Sequence, residues 1–236
     1  MNINDMYQIC QYAINKAQNG YLTPSQFNLL ANQAQTSYQD YLLGEFQQYQ
    51  YGRPQAKVNY SQNSDTRQRL TPFIFSATLN PDANGLVNYP SEYLQTDSIV
   101  TSNYDRIRFV QQDSLYSYLK SEIDPISTNP IYLLYDAGYK FYPNTTYNGV
   151  NLSNVKVTYV MNAPAMIWGY NLDSNNRPVY NPNPYNPSTQ PTGSIQPLWY
   201  DIDKLELVAR ILKLVGVSLQ DGQVEQYANQ VTIQGQ

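Results

Sequence analysis

Proline is concentrated in one part of this 236-residue chain, since seven of its fifteen prolines lie between residues 164 and 197. Each proline fixes a backbone angle and removes an amide donor, which excludes a helix or a central strand there. Only Asp173 and Arg177 are charged in this stretch, whereas aromatic residues are frequent. The composition predicts a stiff arm over residues 171–200 that lies across a neighbouring subunit. The alternative is that the arm packs on its own β domain.

Helices are predicted at both ends of the chain. Residues 1–43 are expected to form an N-terminal helical hairpin, because apolar residues recur there every three or four positions. Thr23-Pro24-Ser25-Gln26 has the pattern of a capping box with proline at the first helical position of the second helix. Residues 201–236 show the same apolar periodicity. We expect these C-terminal helices to pack with the hairpin as a bundle.

The middle of the chain has two further parts. Residues 44–70 lack periodicity and are predicted to be an extended arm. Residues 71–170 contain short β-branched or aromatic runs separated by turn sequences such as Asn84-Gly85, which predicts a small antiparallel β domain. The expected fold class is therefore α+β.

The chain lacks the residues that most enzymes and metal sites use. Histidine is absent, and the single cysteine, Cys10, lies in an apolar helical stripe. The commonest general base and metal ligand is therefore missing, and no cysteine zinc site can form within the chain. The acidic pair Asp201 and Asp203 stands at a helix start, where carboxylates are stabilised by the helix dipole. We expect no catalytic residue, no metal and no cofactor, and a hydrolase is the weakest hypothesis.

Neutral polar side chains dominate the composition, with 25 Asn, 24 Gln and 24 Tyr against 14% charged residues. Such side chains suit large protein interfaces, where Tyr is enriched and Lys and Glu are depleted, and they also suit a glycan-binding surface. A net charge of -4 disfavours the wrapping of DNA or RNA as the main role. The sequence contains no run of 18 apolar residues, so it predicts no membrane span. The candidate partner-binding residues are Trp168, Tyr170, Tyr180, Tyr185, Trp199, Tyr200, Arg53, Arg67 and Arg69.

Three segments at the two ends of the chain carry a resemblance. Residues 19–35 read N-G-Y-L-T-P-S-Q-F-N-L-L-A-N-Q-A-Q. Residues 155–164 read V-K-V-T-Y-V-M-N-A-P and precede a tryptophan and the proline-rich stretch. Residues 201–230 read D-I-D-K-L-E-L-V-A-R-I-L-K-L-V-G-V-S-L-Q-D-G-Q-V-E-Q-Y-A-N-Q. These segments resemble neck and head-to-tail connector proteins of tailed bacteriophages of the crAss-like type.

The resemblance implies a non-enzymatic virion structural protein that forms a closed, dodecameric ring between portal and tail. Its implied partners are further copies of itself, the portal and other neck or tail proteins, with passive contact to DNA in the channel and no membrane. The implied location is the virion, after assembly in the cytoplasm of the host bacterium. The alternative is a carbohydrate-binding or adhesin-like module of a virion or cell surface.

Overall fold

The computed structural model describes residues 1–16, 20–48, 58–120 and 124–218, without the side chains of residues 45–48, 58–63 and 217–218. The chain divides into two compact units. The helical unit combines Met1–Pro72 with Ala163–Gln236, and the β unit, Phe73–Asn162, is inserted between these two parts. The prediction of an α+β fold is confirmed, because helices and antiparallel sheets occur together.

The described residues form six α-helices and nine β-strands. The helices are α1 (Ile3–Lys16), α2 (Pro24–Gln48), α3 (Val58–Leu70), α4 (Gln112–Leu119), α5 (Thr145–Asn148) and α6 (Asp201–Ser218). The strands are β1 (Ile74–Leu79), β2 (Leu86–Asn88), β3 (Tyr93–Val100), β4 (Arg108–Phe109), β5 (Ile131–Leu134), β6 (Gly138–Tyr142), β7 (Val155–Met161), β8 (Tyr170–Leu172) and β9 (Pro178–Tyr180).

The start of α2 is the capping box that the sequence predicts. The backbone amide of Gln26 donates to Thr23 Oγ1 at 3.3 Å, and the backbone amide of Thr23 donates to Gln26 Oε1 at 3.0 Å. Each side chain thus satisfies an amide that the first helical turn leaves unpaired. In the helical unit, α6 packs against both α1 and α2. The buried side chains of α6 include Leu207, Val208, Ile211, Leu212 and Val215.

Residues 44–70 differ from the predicted extended arm. Helix α2 continues to Gln48 and α3 begins at Val58, while residues 49–57 lie outside the described part of the chain. The sequence of α3 lacks apolar periodicity, and its support is tertiary. Thr66 and Leu70 are buried, and Arg69 Nε pairs with Asp65 Oδ2 at 3.0 Å, one turn earlier. Packing of one end of a helix overrides a weak local preference.

The β unit contains two sheets. One has the strand order β1-β7-β3 and is antiparallel, and the other has the order β2-β6-β5-β4, with β4 and β5 parallel. The main apolar core combines residues of both sheets, namely Ile99, Ile107, Tyr139, Phe141, Leu152, Val155, Val157 and Tyr159. The predicted β domain of residues 71–170 therefore extends too far, because the compact unit ends at Asn162.

The proline-rich stretch folds back on the helices of its own unit. Strands β8 and β9 form a hairpin, and Ile167 and Ile195, which flank it in sequence, form an isolated bridge. The two passes of the chain approach closely at Gly169, where a Cβ atom would stand 2.1 Å from the Gly193 carbonyl oxygen. The predicted arm of residues 171–200 is therefore attached to its own unit at few positions, among them the buried Asn181, Ser194 and Trp199, while residues 182–189 are exposed. Polar side chains of α2 bind the backbone of residues 163–168, at the start of the proline-rich stretch.

Candidate interaction surfaces

A row of amide side chains on α2 holds the segment of residues 163–168. Asn28 Oδ1 accepts from the backbone amide of Trp168 at 2.7 Å, and its Nδ2 donates to the Trp168 carbonyl at 3.3 Å. Asn32 makes the same pair of bonds with Met166, at 2.8 Å and 2.9 Å. Each amide therefore satisfies both backbone groups of one residue, as a neighbouring strand would.

The row continues one and two turns further along α2. Gln35 Nε2 donates to the Pro164 carbonyl at 2.9 Å, and Gln39 Oε1 accepts from the Ala163 amide at 3.1 Å. Both glutamines are buried, so each lost bond would leave a polar group without water. The four amides, Asn28, Asn32, Gln35 and Gln39, are called the amide row. Their spacing of four, three and four residues keeps them on one helix face.

Two tryptophans, one at each end of the proline-rich stretch, pack on the helices. The Trp168 ring lies 4.4 Å from the Tyr7 ring between centroids, and its Nε1 donates to Asn4 Oδ1 at 3.1 Å. The Trp199 ring lies 4.9 Å from the Tyr38 ring, and its Nε1 donates to Gln35 Oε1 at 3.1 Å. Both indoles are buried. These two residues were predicted to bind a partner, and the structure instead places them inside their own unit.

The four predicted tyrosines divide into two pairs. Tyr170 and Tyr180 face each other across the β8–β9 hairpin, and both rings lie 5.8 Å from the Trp168 ring. They are half-buried and support the anchor. Tyr185 and Tyr200 are exposed, so they are available to a partner.

Large apolar side chains are exposed in the residues that lead into α6 and in its first turn. Leu198, Tyr200, Ile202 and Leu205 are 48%, 46%, 66% and 61% exposed, and they lie within eight residues of sequence. Ile202 and Leu205 are three residues apart on α6, which makes them neighbours on the helix surface. We call these four residues the α6 entry surface. Of this group only Tyr200 was predicted to bind a partner, and Leu205 falls within the apolar periodicity of residues 201–236 although it is exposed.

The predicted arginines have different positions. Arg53 lies outside the described residues, and Arg67 is exposed. Arg69 Nη1 reaches Tyr38 Oη at 3.3 Å and Asp203 Oδ1 at 3.5 Å, which makes it part of a polar cluster within the helical unit. Of the two described arginines, Arg69 thus serves a contact within the helical unit, and only Arg67 is exposed.

Asp203 is the buried member of that polar cluster. Its Oδ1 accepts from Tyr38 Oη at 2.8 Å, and its Oδ2 is buried without a hydrogen-bond partner among the described residues. Burial raises the pKa of the Asp203 carboxyl and also raises the pKa of the Tyr38 hydroxyl, which therefore remains a donor. Asp201, by contrast, is exposed and pairs with Lys204 and the N-terminal ammonium at 2.9 Å and 3.0 Å. The two carboxylates thus have different environments and do not act as a pair.

The described residues contain no group of three or more Asp, Glu, Cys or His side chains that could hold a metal ion. Burial raises the pKa of the Cys10 thiol to about 12, so this thiol is protonated at neutral pH and is a poor nucleophile. None of the described helices has the length and apolar character that a membrane span requires.

Comparison of the sequence with protein-family models and with characterised proteins gives no match. The amide row is the feature that sequence analysis missed, although its signal is present as Asn28, Asn32, Gln35 and Gln39 at helical spacing.

Proposed function

We propose that the chain is a non-enzymatic virion structural protein, a ring-forming head-to-tail connector subunit of a tailed phage. The observation that carries this proposal is the α6 entry surface. Monomeric proteins rarely leave several large apolar side chains exposed next to each other, and such patches mark protein contacts. The resemblance of residues 19–35, 155–164 and 201–230 to crAss-like neck proteins supports the assignment of this contact to a ring in the phage neck.

A ring needs contacts in which one surface of a subunit meets a different surface of the next. The α6 entry surface and the exposed Tyr185 supply one such surface. The α6 entry surface includes positions on both sides of Trp199, which packs on the Tyr38 ring and donates to Gln35, so little conformational entropy is lost there when a neighbour binds. In this proposal residues 171–200 form the contact between neighbouring subunits, and the terminal helices form the bundle on which this contact is mounted. The ring is dodecameric and also meets the portal and other neck or tail proteins, without a membrane, while DNA passes through its channel.

Electron microscopy of the purified protein, alone and mixed with portal protein, tests the assembly. The double variant Ile202→Asp/Leu205→Asp should remain folded and lose the closed oligomer, because it places two charges in the apolar contact. Lys213→Asp is the matched control, since Lys213 is exposed on the same helix and the change in net charge is the same. Closed rings formed by the double variant would contradict the proposal.

The carbohydrate-binding alternative makes a different prediction in the same preparation. A glycan-binding module should gain melting temperature when a binding sugar is added, and it should do so as a small oligomer. A connector subunit should show a closed oligomer and no sugar-dependent change. A thermal-shift screen over a panel of bacterial surface glycans therefore separates the two functions.

A further inference from the structure

Strand β1 is an open edge of the β unit. It pairs with β7 on one side, in an unbroken antiparallel register from Ile74 opposite Val160 to Leu79 opposite Val155. On its other side, within the part of the chain that the structure describes, no strand and no further backbone group hydrogen-bonds to residues 74–79. Its sequence, Ile-Phe-Ser-Ala-Thr-Leu, contains no charge and no proline. Such an edge is a template for pairing with another chain.

The other described edges carry the usual protection against edge pairing. Strand β3 has two register shifts in its pairing with β7, carries Asp97, and ends under a bridge between Val100 and Arg106. Strands β2, β8 and β9 have three residues each, β4 has two, and β9 begins with Pro178. Bulges, charges, proline and short length all oppose pairing with another strand. Strand β1 has none of these features.

The two faces of β1 differ in chemistry. Ala77 and Leu79 pack against the core of the β unit, and Phe75 lies on the same face by strand alternation but is 42% exposed. Ser76 and Thr78 are exposed on the opposite face, where Ser76 Oγ lies 3.2 Å from Thr158 Oγ1. A strand added to this edge would therefore continue one apolar face and one hydroxyl face.

We propose that β1 pairs with β1 of a second copy of this chain, antiparallel, with the two Ala77 residues opposite each other. In this register Phe75 stands opposite Leu79 of the second copy, and Ser76 stands opposite Thr78 of the second copy. Apolar residues then meet apolar residues and hydroxyls meet hydroxyls, while the small alanines stand at the two-fold axis. The result is a six-stranded antiparallel sheet whose outer edges are both the protected strand β3.

This pairing does not depend on the proposed function. A two-fold contact uses the same surface on both copies and is complete when two copies have joined. The β1 contact therefore needs no ring to form, and it uses different residues from the contacts of the proposed ring, which lie in the helical unit. Loss of ring assembly would leave the β1 pairing unaffected, and the reverse also holds.

Cysteine cross-linking of the full chain tests the register. Residues directly opposite in an antiparallel pair have Cβ atoms about 4.5–5.5 Å apart, close to the roughly 3.5–4.5 Å of a disulfide. Ala77→Cys should therefore give a covalent dimer under mild oxidation. Phe75→Cys is the control, because the two copies of residue 75 would stand four residues apart along the strands, about 13 Å. The native Cys10 is buried and does not compete.

The expected result is a disulfide-linked dimer for Ala77→Cys and none for Phe75→Cys. Equal cross-linking of both variants indicates random collision, and no cross-linking of Ala77→Cys indicates that the strands do not meet. Either result overturns the proposal.

Charge substitution tests the same contact without a covalent bond. Ser76→Lys/Thr78→Lys places lysine opposite lysine twice and should shift the dimer to monomer in sedimentation experiments. Ser76→Lys/Thr78→Glu places lysine opposite glutamate twice and should keep the dimer. Thr78 stands opposite Lys156 in the same chain, so the melting temperature of each variant is measured to establish that both are folded. A wild-type chain that stays monomeric at every concentration, or a dimer that both variants retain, contradicts the proposal.

Discussion

The helical unit and the β unit satisfy their buried polar groups in different ways. In the β unit, ladders of backbone hydrogen bonds do this work, and the core is a cluster of aromatic and β-branched side chains. In the helical unit, the amide row replaces a strand and binds the backbone of residues 163–168. Side-chain amides thus perform in one unit what backbone amides perform in the other.

Because of this difference, neither unit needs many charged side chains to satisfy its buried backbone groups. A buried neutral amide carries a smaller desolvation penalty than a buried ion, and it can both donate and accept. Asp203 is the exception in the described helical unit, and its unpaired Oδ2 shows the cost of using a carboxylate in such a place. The comparison predicts that the two units respond to different kinds of substitution.

The largest expected effect is in the core of the β unit. Phe141 is fully buried among the aromatic residues of that core, so Phe141→Ala should lower the free energy of unfolding of this unit by about 4 kcal/mol. Both tryptophans of the chain lie in the helical unit. Denaturant unfolding followed by far-ultraviolet circular dichroism should therefore shift, while the transition followed by tryptophan fluorescence should not.

The control for this prediction is Phe109→Ala, which truncates an exposed phenylalanine of the same unit and should have little effect. An equal shift of both signals with Phe141→Ala would show that the two units unfold together.

A smaller effect is expected from the amide row. Gln35→Leu removes the acceptor of Trp199 Nε1, in a buried bond, and the donor to the Pro164 carbonyl, in a part-buried one. At about 1–3 kcal/mol for each group, the helical unit should lose roughly 3 kcal/mol of stability. Tryptophan fluorescence during denaturant unfolding measures this loss. Gln33→Leu, at an exposed position of the same helix, should lose little. Equal stability of the two variants would mean that the amide row does not hold the segment.

The smallest effect is a change in pH dependence. Burial raises the pKa of Asp203, so above its ordinary value of 3.8 the folded chain binds this proton more tightly than the unfolded chain. The contribution of Asp203 to stability therefore grows as the pH falls toward that value and decreases as the pH rises. Asp203→Asn should remove this dependence from the melting temperature of the helical unit between pH 7 and pH 4.5.

Asp201→Asn provides a comparison of opposite sign. The hydrogen bond from Lys204 and the N-terminal ammonium lower the pKa of Asp201, so its stabilising contribution is present at neutral pH and is lost as the pH falls. If both variants change the melting curve in the same direction, the assignment of a raised pKa to Asp203 is wrong.

Local signals in the sequence predicted some parts of the fold and not others. The capping box at Thr23 and Gln26 is a contact between residues three positions apart, and the structure has it as predicted. Helix α3 was missed because its support comes from burial of Thr66 and Leu70 rather than from its own pattern. The anchoring of Trp168 and Trp199 was missed for a related reason. Exposed and buried aromatic residues look alike in a sequence that is rich in tyrosine and proline.

The sequence by itself determined the N-terminal helices, the helix that begins at Asp201, the stranded middle and the stretch that can be neither helix nor central strand, while residues 219–236 of the predicted C-terminal helices lie outside the described part of the chain. These properties follow from side-chain periodicity and from proline geometry, which act over a few residues. Only the tertiary structure decided where the proline-rich stretch begins, because the partners of residues 163–168 on α2 are more than 120 residues away in sequence. It also decided which edge of the β unit stays open. Strand order and register depend on long-range pairing, and a local pattern does not encode them.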